Sequence, residues 1–177
     1  QAEHGYNSPV WLVTTDRNLA EAVIARIPQI ASELPETNAR NARAAWDSYA
    51  EVMLCDSAEE MARVADDYAP EHLHVQARDL DWWLQRLRSY GSLFLGEETT
   101  VAFGDKATGP NHILPTGRAA RYTGGLWVGM FMKVVTHMET DIQAARKLAK
   151  LAETQAAFEG MDAHRFAATI RLMNLKE

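Results

Sequence analysis

Short β-rich apolar runs alternate with longer stretches of helical period along the first hundred residues, and this alternation restricts the fold more than any other feature. Residues 10–14, after Pro9, read as a buried strand. Asp16 is placed to cap a helix in which Leu19, Val23, Ile27 and Ile30 recur at helical spacing, with Pro28 expected to kink or interrupt it. Residues 39–49 are again helical, and residues 52–55 form a second apolar run. Ser57-Ala58-Glu59-Glu60 has the form of a capping box that opens a helix to about Tyr68. Residues 79–90 carry Leu80, Trp83, Leu84 and Leu87 on one helical face, and residues 92–95 form a further strand ending at Gly96. Strands alternating with helices predict an α/β layer, a partial Rossmann-like parallel sheet with flanking helices.

In such sheets ligands bind beyond the carboxyl ends of the strands. The chemically unusual residues are expected there: positions 4–8, positions 70–74, and a long segment, 97–125, rich in Gly, Thr and Pro. A loop of that length inside a compact domain is usually functional. The character then changes. Ile142, Ala145, Leu148, Ala149 and Ala152 mark one stripe of a helix, Gly160 breaks it, and Asp162 is placed to cap a last helix to about Leu172. The expected organisation is an α/β catalytic domain over 1–130 and a helical tail over 131–177. The tail's apolar face is too thin to stand alone, so it must dock on its own body or on another subunit.

A net charge of −6 argues against a nucleic-acid partner. No run of eighteen apolar residues is present, which excludes a membrane-spanning helix of ordinary length. The single cysteine, Cys55, excludes an internal disulfide framework and fits a reducing, cytoplasmic setting. The chain opens on Gln1 rather than methionine, directly in polar residues, which points to a fragment.

Six histidines are candidates for chemistry: His4, His72, His74, His112, His137 and His164. Imidazole and carboxylate together permit a metal site, but the spacing is neither a zinc-finger nor an HExxH pattern. In Tyr68-Ala69-Pro70-Glu71-His72-Leu73, a proline fixes the backbone ahead of two adjacent proton-transfer groups. Such a pair can divide removal of a substrate proton from activation of water; the same segment also reads as a helix-to-strand turn with exposed charges. Residues 104–112 superficially resemble a phosphate loop but lack its Gly-Lys-Ser/Thr ending, and no GxGxxG occurs. Arg118, Arg121 and Tyr122 could bind an anion, or be ordinary surface residues.

Five blocks, in order, carry a resemblance: Gln1-Ala2-Glu3-His4-Gly5, Ala69-Pro70-Glu71-His72-Leu73, Gly104-Asp105, Gly109-Pro110-Asn111-His112-Ile113-Leu114-Pro115-Thr116, and Glu159 with His164. They resemble the histidinol dehydrogenase family along essentially the whole chain, which matches the C-terminal part of the longer family polypeptide. The resemblance implies a zinc site from Gln1, His4, Asp105 and His164, leaving room for substrate atoms. It implies His72 as general base, Glu71 as the residue that activates water for a second oxidation, and His112 and Glu159 as substrate contacts, with NAD accepting hydride. It also implies a homodimer whose helical tail crosses to the partner, bringing Glu159 and His164 to the other subunit's site.

The substrate stays open between L-histidinol, oxidised to L-histidine, and sulfopropanediol, oxidised to sulfolactate. Residues 79–83, 97–103 and 117–129 resemble the sulfopropanediol dehydrogenase branch, where Arg118 or Arg121 would meet the sulfonate. Most nucleotide contacts of the family come from its N-terminal half, so this chain alone is expected not to turn over substrate. The alternatives are a non-catalytic metal-binding or dimerisation module derived from this family and a structural α/β domain without metal.

Overall fold

The computed structural model describes residues 1–174; positions 175–177 of the expected tail lie outside the described residues. The chain divides into two compact units, residues 1–131 and the segment from Met132 onward. In the first, strand β1 (Trp11–Thr14) is followed by helices α1 (Arg17–Glu33) and α2 (Glu36–Tyr49) and strand β2 (Glu51–Leu54). Helix α3 (Ala58–Tyr68) then leads to strand β3 (His72–Val75), helix α4 (Leu80–Arg86) and strand β4 (Ser92–Leu95). Strands β1 and β2 pair in parallel from Trp11 opposite Glu51 to Thr14 opposite Leu54. Strands β3 and β4 do likewise from His72 opposite Ser92 to Val75 opposite Leu95. Parallel pairing needs a crossover, and the helices between the paired strands supply it. Among the described residues the expected parallel sheet is present as two separate two-stranded ladders.

Local chemistry explains the elements. The Asp16 carboxylate accepts from the Asn18 and Leu19 N–H groups, capping α1. Pro28 does not interrupt that helix. The acceptor it leaves without a partner is the carbonyl four residues earlier, on Ile24, which is 46% exposed, so water can take the vacant position. At α3 the Glu60 N–H donates to Ser57 Oγ at 3.2 Å, while the Glu60 carboxylate accepts from the Asp56 N–H at 2.7 Å. The reciprocal bond of the capping box thus reaches one residue further back than the motif prescribes.

Helix α4 ends at Arg86, short of the expected Tyr90. The reason is Asp66 on α3, whose Oδ1 accepts from the N–H groups of Arg88 and Ser89, both at 2.8 Å, and so draws the chain out of the helix. Strand β3 falls on residues that periodicity left as a loop. Its His-Leu-His-Val pattern does alternate, but polar imidazoles on one face hide it. Around this strand pair lies the core of the unit: Ala62 and Ala65 of α3, Val75, Trp83 and Leu87, with Leu73, Leu80, Leu93 and Leu95 packed against them. Helix α5 (Val101–Lys106) lies inside the expected long loop.

The second unit contains helices α6 (Ile142–Phe158) and α7 (Asp162–Asn174). Asp141 caps α6 by accepting from the Ala144 N–H at 2.7 Å, and Gly160, at φ +70°, breaks the chain as expected. Asp162 is not the cap of α7 but its first residue, paired with Arg165 at 3.2 Å. Buried Ala149, Ala156 and Ala168 let the two helices approach, and Thr169 Oγ1 donates to Glu153 at 2.7 Å.

Candidate active site

The backbone that carries Glu71 and His72 is held from several sides. Helix α3 closes at Ala69, which takes the left-handed conformation (φ 47°) despite its Cβ. The Gly91 N–H donates to Pro70 O at 3.0 Å and the Ser92 N–H to Glu71 O at 2.9 Å. A Cβ at Gly91 would stand 2.5 Å from Glu71 O and 2.8 Å from Pro115 Cδ, so only glycine permits this approach. The pair therefore opens β3 at its amino end, and does not follow a strand's carboxyl end as the alternation of elements led one to expect.

The His72 ring, 14% exposed, lies between two carboxylates. Its Nδ1 is 4.0 Å from Glu71 Oε2 and its Nε2 is 3.6 Å from Asp105 Oδ1. Neither ring nitrogen, though buried, has a hydrogen-bond partner. Buried polar atoms are seldom left without a partner, which sets this imidazole apart from the other polar groups of the unit. Phe94 packs near it, with ring centroids 6.2 Å apart. Asp105 arrives on α5, which lies close against Phe94 because Gly104 has no Cβ: one built there would be 3.0 Å from the Phe94 ring.

Asp105 also borders a cavity of about 330 Å³, together with Phe94, Thr99, Phe103, Asn111 and His112. Asn111 shapes the loop on both sides of His112, its Oδ1 accepting from the Ile113 N–H at 2.9 Å and its Nδ2 donating to Ile113 O at 3.0 Å. His112, a candidate substrate contact, is thus held at the same cavity as Asp105, a candidate zinc ligand.

Arg118 and Arg121 do not border that cavity. Both engage α3: the Arg118 guanidinium lies over the Tyr68 ring at 5.8 Å, and Arg121 Nη2 donates to Asp67 O at 2.6 Å, satisfying a carbonyl of the last helical turn. Tyr68 belongs to a second cluster. Its hydroxyl donates to Glu51 Oε2 at 2.6 Å, Trp11 Nε1 donates to Glu51 Oε1 at 3.1 Å, and the Trp11 and Tyr68 rings lie 4.8 Å apart. The bond to Glu51 is the main cause that raises the Tyr68 pKa above its ordinary value.

Gln1 and His4 are exposed and their side chains make no hydrogen bond among the described residues. His164 and Glu159 both belong to the second unit, where they border a groove of about 450 Å³ between α6 and α7. Gln155 Nε2 donates to Glu159 Oε1 at 3.0 Å. No three His, Cys, Asp or Glu side chains gather around one point among the described residues. Two imidazoles, a carboxylate and an amide nonetheless make a donor set that zinc accepts, and only His4 and Asp105 of the three strongest donors belong to the first unit. His74, one of the six candidate histidines, receives no particular role from the sequence. Its spacing of two from His72 was the available signal, since alternate strand residues share a face.

Fold and site define an α/β protein in which a buried imidazole on a parallel strand pair lies between two carboxylates. The chain belongs to the histidinol dehydrogenase family, whose model matches residues 1–172. It is 62% identical, over 99% of its length, to a histidinol dehydrogenase homolog of Ruegeria pomeroyi, covering 41% of that protein. It is 59% identical to the sulfopropanediol 3-dehydrogenase of the same organism, over 97% of this chain and 40% of that one. The histidinol dehydrogenase of Thermus thermophilus is 39% identical, over 97% of this chain and 41% of that one. Among solved structures, histidinol dehydrogenase from Elizabethkingia anophelis superposes with a TM-score of 0.88 at 30% identity, over 99% of this chain and 40% of that one. The chain thus spans about two-fifths of the length of each of these relatives. No helix among the described residues is long and apolar enough to cross a membrane.

Proposed function

We propose that this chain is the C-terminal catalytic part of a zinc- and NAD-dependent alcohol dehydrogenase that oxidises a primary alcohol through the aldehyde to the acid. The observation that carries the reading is the His72 ring, buried between Glu71 and Asp105 with both nitrogens free of hydrogen bonds. His72 takes the proton of the substrate hydroxyl as hydride departs. Glu71, 30% exposed and so reachable by water, takes a proton from the water that attacks the aldehyde in the second oxidation. His112 orients the substrate from the cavity it shares with Asp105. When bound, zinc polarises the substrate oxygen and NAD supplies the hydride acceptor. Gln1, His4 and Asp105 would hold the metal together with His164, and in a homodimer whose tails cross, His164 and Glu159 serve the other subunit's site.

Greater identity to the sulfopropanediol 3-dehydrogenase (59%) than to the Thermus histidinol dehydrogenase (39%) supports sulfopropanediol over L-histidinol as substrate. In that reading Arg118 and Arg121 meet the sulfonate, after leaving their present contacts on α3. The test uses a family-length protein containing this chain, with NAD reduction measured on both alcohols side by side. We expect sulfopropanediol to be preferred, and an Arg118→Ala/Arg121→Ala double variant to lose that preference. A preference for L-histidinol, or an unaffected double variant, refutes the sulfonate assignment. A second reading, a non-catalytic metal-binding or dimerisation module, draws on the exposed apolar groove of the second unit. It predicts bound zinc and oligomers without NAD reduction in the family-length protein. Zinc content unchanged by His4→Ala or Asp105→Ala would end the metal assignment in both readings.

A further inference from the structure

We propose that His74 is a positioning residue that sets the distance between Asp105 and His72 by pinning the turn that leads from β4 into α5. This rests on the reading of His72 as the base. His74 shares the His72 face of β3, and its Nε2 is 2.9 Å from Gly96 O. A carbonyl only accepts, so Nε2 carries the proton and donates. Gly96 is the point where the chain leaves β4: its N–H donates to Val75 O at 2.8 Å and it sits at φ +85°, a conformation suited to glycine. The single Thr99 hydroxyl proton is shared between Leu95 O and Gly96 O, both 3.3 Å from Oγ1, so Gly96 O faces two side-chain donors, His74 and Thr99. Helix α5 begins two residues after Thr99 and delivers Asp105 to within 3.6 Å of His72 Nε2. The Phe94 ring fixes the other side of the same path. It meets His74 edge-on at 6.4 Å and His72 at 6.2 Å, and bears on Gly104, one residue before Asp105.

A ligand's or base's outer partners hold it in its working orientation, and losing one costs activity without contact to substrate. The test pairs His74→Leu, which keeps an apolar side chain against Phe94 but cannot donate, with His74→Gln, whose amide still can. In the family-length protein, labelled with nitrogen-15 histidine, His74→Leu shifts the His72 ring resonances and His74→Gln restores them. In the family-length holoenzyme, His74→Leu lowers kcat at least about tenfold with KM changed less than about twofold, and His74→Gln recovers most of it. Thr99→Val, which removes the second donor to the same carbonyl, moves the His72 resonances in the same direction and serves if His74→Leu does not fold. Unmoved His72 resonances in a folded variant, or no rescue by glutamine, overturn the proposal. Turnover insensitive to His72 itself overturns instead the reading on which it rests.

Discussion

His72 is set apart from His4, His112, His137 and His164 by burial: the others are exposed, while its ring is 14% exposed between two carboxylates. Nothing in Pro70-Glu71-His72 states that burial, which is why the residues alone left the pair open between a catalytic centre and a charged turn. The burial comes from Gly91 and Phe94, some twenty residues away, and a single sequence does not display that approach. Gly91→Ala forces a Cβ to 2.5 Å from Glu71 O, so we expect a loss of about 1–3 kcal/mol in chemical denaturation. Gly124→Ala, where a Cβ meets nothing within 4 Å, should stay within about 0.5 kcal/mol. Equal effects would contradict the close approach at Gly91. Tyr68 offers a pH test. Its folded pKa is raised, chiefly by the hydrogen bond to Glu51, so its stabilising contribution is complete below the ordinary tyrosine range. That contribution is lost as pH rises through the folded value, above about pH 10. Tyr68→Phe should cost at most about 1 kcal/mol at neutral pH, since the bond is open to water, and should flatten the alkaline part of the stability profile. A profile that stays equally steep would assign the alkaline loss elsewhere.

At the scale of elements, caps and turn residues were the legible signals. Asp16 and Ser57, read as caps, do cap α1 and α3 through their side chains, and Asp79 and Asp141 do the same for α4 and α6; Asp162, also read as a cap, is instead the first residue of α7. What escaped was set by contacts from outside the element. Asp66 ends α4 by reaching across from α3, and strand β3 is concealed by the two imidazoles on one of its faces. Helix α5 spans only six residues, too few for a periodic signal, in a segment whose glycines read as loop. Two variants check this account. Ser57→Ala removes one acceptor at the α3 terminus and should cost about 1 kcal/mol. Asp66→Ala removes the acceptor shared by the Arg88 and Ser89 N–H groups and, with Arg88 open to water, should cost about 1–2 kcal/mol. Amide exchange would show the second loss locally, as faster exchange at Arg88 and Ser89, and unchanged rates there would contradict the role given to Asp66.

For the whole molecule, the chain's share of its relatives, about two-fifths, governs what it does alone. Trp127, Val128, Met130, Phe131, Met132, Val134, Val135 and Met138 are all exposed, at 60% or more. Exposed apolar side chains in such number, at the end of the first unit and the start of the second, favour association. We therefore expect the chain by itself to self-associate in sedimentation velocity and to reduce no NAD with either alcohol; a monomer that turns over substrate would contradict both expectations. The family assignment was legible because five short blocks lie in register over the whole chain. The proposed metal site was not legible from spacing, because its residues are scattered from Gln1 to His164 and the tail is proposed to serve a second copy. The central claim is that His72 is the base of this centre. The direct measurement is kcat for His72→Asn in a family-length protein, alongside zinc content and thermal midpoint. We expect a fall of at least about 100-fold with metal and folding unchanged. A kcat within about twofold of the parent would remove His72 from the chemistry.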